Sequence, residues 1–212
     1  IICEILINNI ITSNTPYIYL LLTLNNSNIL SNPNINKGII AQEKQILNTI
    51  QDLKSVSEHP YLYDETLQFH ETEELIETSA RLQATIKFLD EIKLKGEKAI
   101  LFAERRHSQK MLQRICHERY GIITKIINGD TPTTSSTRAN SKQSRQSAID
   151  DFQSEEGFNV IIMSPVAAGM GLNVTAANHV IHFSRHWNPA KENQATDRAY
   201  RIGQTKDVYV YY

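Results

Sequence analysis

Two five-residue runs, Ala99-Ile100-Leu101-Phe102-Ala103 and Asn159-Val160-Ile161-Ile162-Met163, are apolar almost throughout and show no polar alternation. A strand with one wet face alternates, whereas a strand covered on both faces does not. Burial on both faces belongs to a parallel sheet held between helices. The intervening segments agree. Ser108 to Arg119 places Met111, Leu112 and Ile115 at helical spacing and stops at Gly121, and Gln143 to Phe152 reads as the next helix. Ile122 to Ile127 and His179 to Phe183 supply two further strands, and Asp207 to Tyr212 is strand-like. Pro189 suits a first helical position, and its helix is expected to run to about Arg201. This alternation predicts an α/β fold, a mainly parallel sheet flanked by helices.

Upstream the pattern changes. Residues 1–36 carry Glu4 as their single charge and are dominated by Ile and Asn, so residues 1–41 read as a lead-in without a legible role. Ile46, Ile50, Leu53 and Val56 recur at helical steps up to His59-Pro60, and residues 64–77 are acidic, as a solvated linker or helix face would be. Residues 42–78 are therefore expected to form a helical linker. Ser79 reads as the N-cap of a helix carrying Leu82, Ile86 and Leu89 and closed by Gly96. Residues 79–212 would be one lobe, its last strand cut short, as in a piece of a longer protein.

Charge and cysteine content narrow the function. Lys plus Arg is 22 and Asp plus Glu is 23, which argues against holding nucleic acid by bulk positive charge. The distribution is uneven: residues 1–97 hold 7 basic and 13 acidic side chains, residues 98–212 hold 15 and 10. Cys3 and Cys116 cannot build a disulfide framework, so a cytoplasmic setting is expected. The apolar run from Tyr17 to Leu24 is far shorter than the roughly 20 residues that span a bilayer, and neither a signal peptide nor a membrane partner is expected. His179, His182 and His186 invite a zinc reading, but His179 and His182 have the wrong strand parity to converge, so no metal site is expected on this chain.

In parallel sheets, ligands gather where the strands end. After the 159–163 strand comes Ser164-Pro165-Val166-Ala167-Ala168-Gly169-Met170-Gly171-Leu172-Asn173, in which Gly169 and Gly171 either let backbone amides approach a phosphate or make a tight turn. After Pro189, Gln194, Arg198 and Arg201 follow i, i+4, i+7 spacing. They form either a solvated face or a pair of guanidinium forks suited to a triphosphate. No Gly-x-x-x-x-Gly-Lys-Ser/Thr loop is present, so a nucleotide would have to be held by another domain; nor is there a Gly-x-Gly-x-x-Gly run, which disfavours a dinucleotide enzyme. Asn128 to Ser141 is polar and rich in turn formers, hence an expected exposed, mobile loop.

Val160 to Asn173, His179 to Phe183, Trp187-Asn188-Pro189-Ala190 and Gln194 to Gln204 together resemble motifs V and VI of the second, C-terminal RecA-like lobe of the Swi/Snf-type family of superfamily-two helicase-like ATPases. Lys98 to Phe102 resembles motif IV, and Leu53 to Leu62 is similar to the linker before that lobe. The resemblance implies a three-layer RecA-like domain serving a DNA-dependent ATPase that translocates on double-stranded DNA. It implies ATP and Mg2+ held mainly by an N-terminal RecA-like lobe of the same protein, with this lobe inactive as an ATPase alone. Arg198 and Arg201 would be arginine fingers, with Gln194 orienting the site. Gly169, Gly171 and Asn173 would line the nucleotide cleft, while Asn128, Gly129, Thr131, Ser164 and Trp187 would face DNA. The alternative is a RecA-like module kept only for docking DNA or protein. The sequence departs from the family pattern at Ala103-Glu104, where a Ser-Gln pair is usual, and at Ser184-Arg185-His186, where an acidic residue is usual. The second departure resembles prokaryotic members and suggests a bacterial protein at the nucleoid. The stretch from Pro132 to Gln143 is longer than the family minimum.

Overall fold

The computed structural model describes residues 33–62, 67–132, 144–168, 172–186, 188–200 and 203–212, with only the backbone described for 33–43 and for Ala168. The chain divides between Ser57 and Glu58, and the two parts are described separately. The first contributes nearly all of helix α1 (Pro33–Glu58). That helix stops where Pro60 pushes the preceding residue out of the helical region. The buried His59 ring then bonds the chain beyond: Nδ1 accepts from the Tyr61 N–H at 3.1 Å, and Nε2 lies 2.9 Å from the Leu75 carbonyl oxygen.

Part of the acidic stretch becomes a short helix, α2 (Thr72–Thr78). It buries Leu75 and Ile76 and sets Glu73 and Glu74 in its first turn, where the helix dipole favours negative charge. Helix α3 (Ala80–Leu94) begins at Ser79, whose hydroxyl accepts from the Leu82 N–H at 3.3 Å and donates to the Glu58 carbonyl at 3.0 Å. Gly96, with φ of 64°, turns the chain into the sheet, a conformation that glycine adopts without steric cost.

Five strands follow: β1 (Lys98–Phe102), β2 (Lys125–Ile127), β3 (Asn159–Met163), β4 (His179–His182) and β5 (Tyr209–Tyr211). The helices between them are α4 (Arg106–Tyr120), α5 (Arg145–Ser154), α6 (Pro165–Ala168) and α7 (Pro189–Thr196). All strands run parallel, in the order β2-β3-β1-β4-β5. The RecA-like α/β expectation holds. Ala99, Leu101, Val160, Ile162 and Ile181 face α3 and α4, meeting Leu82, Leu89, Met111 and Ile115. Ile100, Phe102, Ile161, Met163 and Val180 face the other layer, with Ile149, Phe152, Ala195 and Ala199. Each large side chain buried here contributes about 1.5–3 kcal/mol, which is why β1 and β3 are apolar on both faces.

Four elements are shorter than the sequence suggests, β4 only by Phe183. β2 begins at Lys125 because it is an edge strand paired only with β3, and Ile123 before it is 76% exposed. β5 at the opposite edge covers only Tyr209–Tyr211. Helix α7 ends at Thr196 instead of near Arg201. There the bonding tightens, Arg198 N–H to Ala195 O at 3.1 Å and Ala199 N–H to Thr196 O at 3.0 Å, while the Arg198 carbonyl accepts from Val174 N–H at 3.1 Å.

Candidate functional site

At the C-terminal edge of the sheet the ladder continues one residue past β1 and β3 and two residues past β4. Ser164 N–H donates to Ile127 O at 2.9 Å, Ala103 N–H to Met163 O at 3.0 Å and Ser184 N–H to Phe102 O at 3.1 Å. These bonds fix the start of each following loop. Just beyond, Gln109 is 1% exposed and donates to Ala103 O at 2.8 Å, while its Oε1 accepts from Asn128 Nδ2 at 2.8 Å. The turn after β2 is thereby anchored to α4.

That turn differs from the mobile loop expected over Asn128 to Ser141. In its first four residues the polar groups bond to one another. Asn128 Oδ1 accepts from Asp130 N–H at 2.9 Å, and Thr131 Oγ1 accepts from Asn128 N–H at 3.1 Å while lying 3.3 Å from Ile126 O. The buried Arg145 guanidinium clamps the turn through Thr131 O at 2.9 Å and Asn128 O at 3.2 Å. Gly129 and Asp130 stay exposed, and Arg106 Nη2 pairs with Asp130 at 2.6 Å. Residues 133–143 lie outside the described residues. A cavity of about 670 Å³ opens beside the turn, lined in part by Arg106, Lys110, Lys125, Asn128 and Thr131. Among the described residues its lining holds three cations, Arg106, Lys110 and Lys125, against the one carboxylate of Asp130, a balance suited to an anionic group.

The other sequence-predicted residues fall in different places. Ser164 is buried and its hydroxyl accepts from Ala167 N–H at 3.1 Å, so it caps α6 rather than presenting itself at the surface. Asn173 is exposed, and the adjacent Val174 bonds the Arg198 carbonyl, which brings the candidate cleft segment and the candidate finger together. Gln194 is exposed, whereas Arg198 is only 4% exposed. The two therefore do not form one open polar face, because the helix stops between them and the chain tightens against the core through Ala195 and Ala199. Gly169, Gly171, Trp187 and Arg201 lie outside the described residues.

The histidines go to separate partners. His179 Nε2 lies 2.6 Å from Glu97 and Nδ1 3.1 Å from the Tyr211 hydroxyl. The His179 hydrogen bond, outweighing burial, holds the Glu97 carboxyl below its usual range. His182, on the opposite sheet face, bonds Thr196 Oγ1 at 2.9 Å, and His186 Nδ1 accepts from Asn188 N–H at 2.9 Å.

Sequence reasoning assigned no role to Gln109, Arg145, Gln204 or the Arg185–Glu192 pair. Gln204 Nε2 lies within 2.9–3.3 Å of the carbonyls of Thr175, Ala177 and Ala199, stitching the segment before β4 to the turn after α7. Gln204 stands inside the Gly203-Gln204 end of the quoted signature, which was the available signal. Neither residue type nor spacing marked Gln109 and Arg145, since their partners, main-chain carbonyls and for Gln109 also the Asn128 side-chain amide, come within reach only once the layers pack. Among the described residues no helix is long and apolar enough to cross a membrane.

Comparison with known proteins completes the picture. The family described as helicase conserved C-terminal domain matches residues 80–203. The Zorya protein ZorD of Escherichia coli O139:H28 is 48% identical over 179 residues, 84% of this chain and 16% of that protein. The putative ATP-dependent helicase/translocase YwqA of Bacillus subtilis is 39% identical over 78% of this chain and 17% of its own length. The chain thus spans about a sixth of these relatives. Among solved structures, the Sulfolobus solfataricus SWI2/SNF2 ATPase core in complex with dsDNA aligns with a TM-score of 0.60 at 30% identity, covering 81% of this chain and 33% of that one. The C-terminal part of the Fun30 ATPase domain aligns at 0.57, also 30% identical, over 67% of this chain and 42% of that one. The chain belongs to the helicase conserved C-terminal domain family, as a C-terminal RecA-like lobe of the Swi/Snf type in superfamily two.

Proposed function

We propose that this lobe is half of an ATP-driven motor that translocates on double-stranded DNA in a bacterial cytoplasm, at the nucleoid. The observation that carries the reading is the order of its parts. The family match over residues 80–203 encloses the motif IV, V and VI segments on one all-parallel sheet, with Arg198 tied through Val174 to the segment ending at Asn173. The chain's own groups suit phosphate oxygens: the Arg198 and Arg201 guanidiniums and the Gln194 amide are all donors. With no Gly-x-x-x-x-Gly-Lys-Ser/Thr cradle in the sequence, ATP and Mg2+ belong mainly to the N-terminal lobe of the same protein. The nucleotide, when bound, supplies the transferable phosphoryl group and Mg2+ neutralises its charge. Arg198 and Arg201 act as arginine fingers from this side of the cleft, Gln194 helps to orient the site, and Gly169, Gly171 and Asn173 line the approach. The Asn128-Gly129-Thr131 turn, the cations of its cavity and Trp187 engage the duplex backbone. Ser164 serves that face by holding α6.

The test is DNA-stimulated ATP hydrolysis by the full-length protein with Arg198→Ala and Arg201→Ala made separately. Each is expected to lower turnover on the order of 10³-fold, the usual contribution of an arginine finger. The isolated lobe is expected to hydrolyse no ATP. If neither substitution lowers turnover, the reading fails and a docking module takes its place.

A further inference from the structure

Helix α7 is bolted at both ends to the chain leaving β4, by contacts to which the resemblance assigns no role. At its N-terminal end Glu192 is 3% exposed and its carboxylate takes three donors: Arg185 Nε at 2.7 Å, Arg185 Nη2 at 3.0 Å and the His186 N–H at 3.0 Å. Burial alone would raise the pKa of Glu192; the Arg185 fork and the His186 N–H outweigh it and hold the carboxyl below its usual range. At the other end His182 Nε2 lies 2.9 Å from Thr196 Oγ1. The Thr196 hydroxyl gives its single proton to Glu192 O at 3.2 Å, so the network assigns the donor proton to His182 Nε2. The His182 ring stacks between Phe102 and Tyr212, each 5.1 Å away, and the Arg185 guanidinium lies 4.6 Å from the Tyr212 ring centroid. The ties close a circuit from β4 through the 183–186 segment to α7 and back.

The two ends of this circuit lead to different ligands. One residue past His186 stands Trp187, and two residues past Thr196 stands Arg198. We propose that Glu192, seated by Arg185, is a positioning residue that makes the segment leading to Trp187 and the helix leading to Arg198 one mechanical unit, through which duplex contact raises ATP turnover. This rests on the motor reading above. A bidentate fork resists the rotation of α7 against the 183–186 segment that a single point contact would permit. DNA seating at one end is therefore transmitted to the arginine at the other.

The experiment measures ATP turnover of the full-length protein with and without duplex DNA, together with DNA affinity, for Glu192→Gln and Arg185→Lys. The glutamine keeps one acceptor for the His186 N–H but loses the charge, and the lysine keeps the charge but loses the fork. In both, the DNA-stimulated to DNA-free turnover ratio is expected to fall about tenfold. DNA-free turnover and DNA affinity should stay within about threefold. Arg185→Lys is 56% side-chain exposed in the parent and guards against a folding defect in the other variant. An unchanged ratio in both variants overturns the inference, as does an equal fall with and without DNA or a loss of DNA affinity that accounts for the effect. Arg198→Ala in the same assay separates the two claims: if it abolishes turnover while the clamp variants keep their ratio, the motor reading stands and the inference falls.

Discussion

The Glu104 N–H donates to Ser184 Oγ at 3.0 Å, so two of the places where this sequence departs from its family's pattern are bonded to each other. Ser184 is 1% exposed and its own N–H continues the ladder to Phe102. These two departures form one local arrangement that ties the loop after β1 to the loop after β4. Ser184→Ala leaves the Glu104 N–H without this acceptor and should cost about 1–2 kcal/mol, while Ser184→Thr, which keeps the hydroxyl, should cost less. Chemical denaturation of the chain measures both; equal midpoints for wild type and Ser184→Ala would show that the bond contributes nothing.

Acid should weaken the fold through His182. Burial, outweighing the attraction of Glu192, pushes its pKa down to about 4 from an ordinary value near 6.5. Between these values the unfolded chain binds the proton and the folded chain does not, so stability is intact above pH 6.5 and declines as pH falls toward 4. The loss attributable to this ring is about 2 kcal/mol by pH 5. His182→Gln keeps a donor for Thr196 and cannot titrate. Thermal melts at pH 7 and pH 5 should therefore fall further for the wild type than for the variant, and equal falls would remove His182 as the cause.

Lys98 opens β1 yet its ammonium serves α5. Nζ donates to Phe152 O at 2.7 Å and Gln153 O at 3.1 Å, and also to Glu155 O, satisfying carbonyls at the helix C-terminus. Its pKa is lowered by burial. Lys98→Met keeps the length and loses every donor, which should cost about 2 kcal/mol and expose the last turn of α5 to faster amide exchange. Exchange confined to its wild-type rate there would refute the capping role.

Much of the fold was legible because it depends on side-chain polarity along the chain. Apolar runs at 99–103 and 159–163 had to be covered on both faces, and Ser79 and Gly96 bound α3 because capping and positive φ are local demands. Element ends were less legible. Whether Ile122 joins β2 depends on which strands flank it, and β2 proved to be an edge. The end of α7 depends on Val174 taking the Arg198 carbonyl.

The candidate site divides along the same line. The order of residues by itself determined the family, the motif segments, and the donor chemistry of Gln194, Arg198 and Arg201, since these are properties of residue type and spacing. Only the tertiary structure decided that Arg198 is tucked inward, that Ser164 caps α6, and that Asn128 and Thr131 sit in a turn clamped by Arg145 and Gln109. It also decided that Glu192 belongs to Arg185. The physical reason is that buried polar atoms must find partners within hydrogen-bonding distance, and those partners are chosen by how the layers pack.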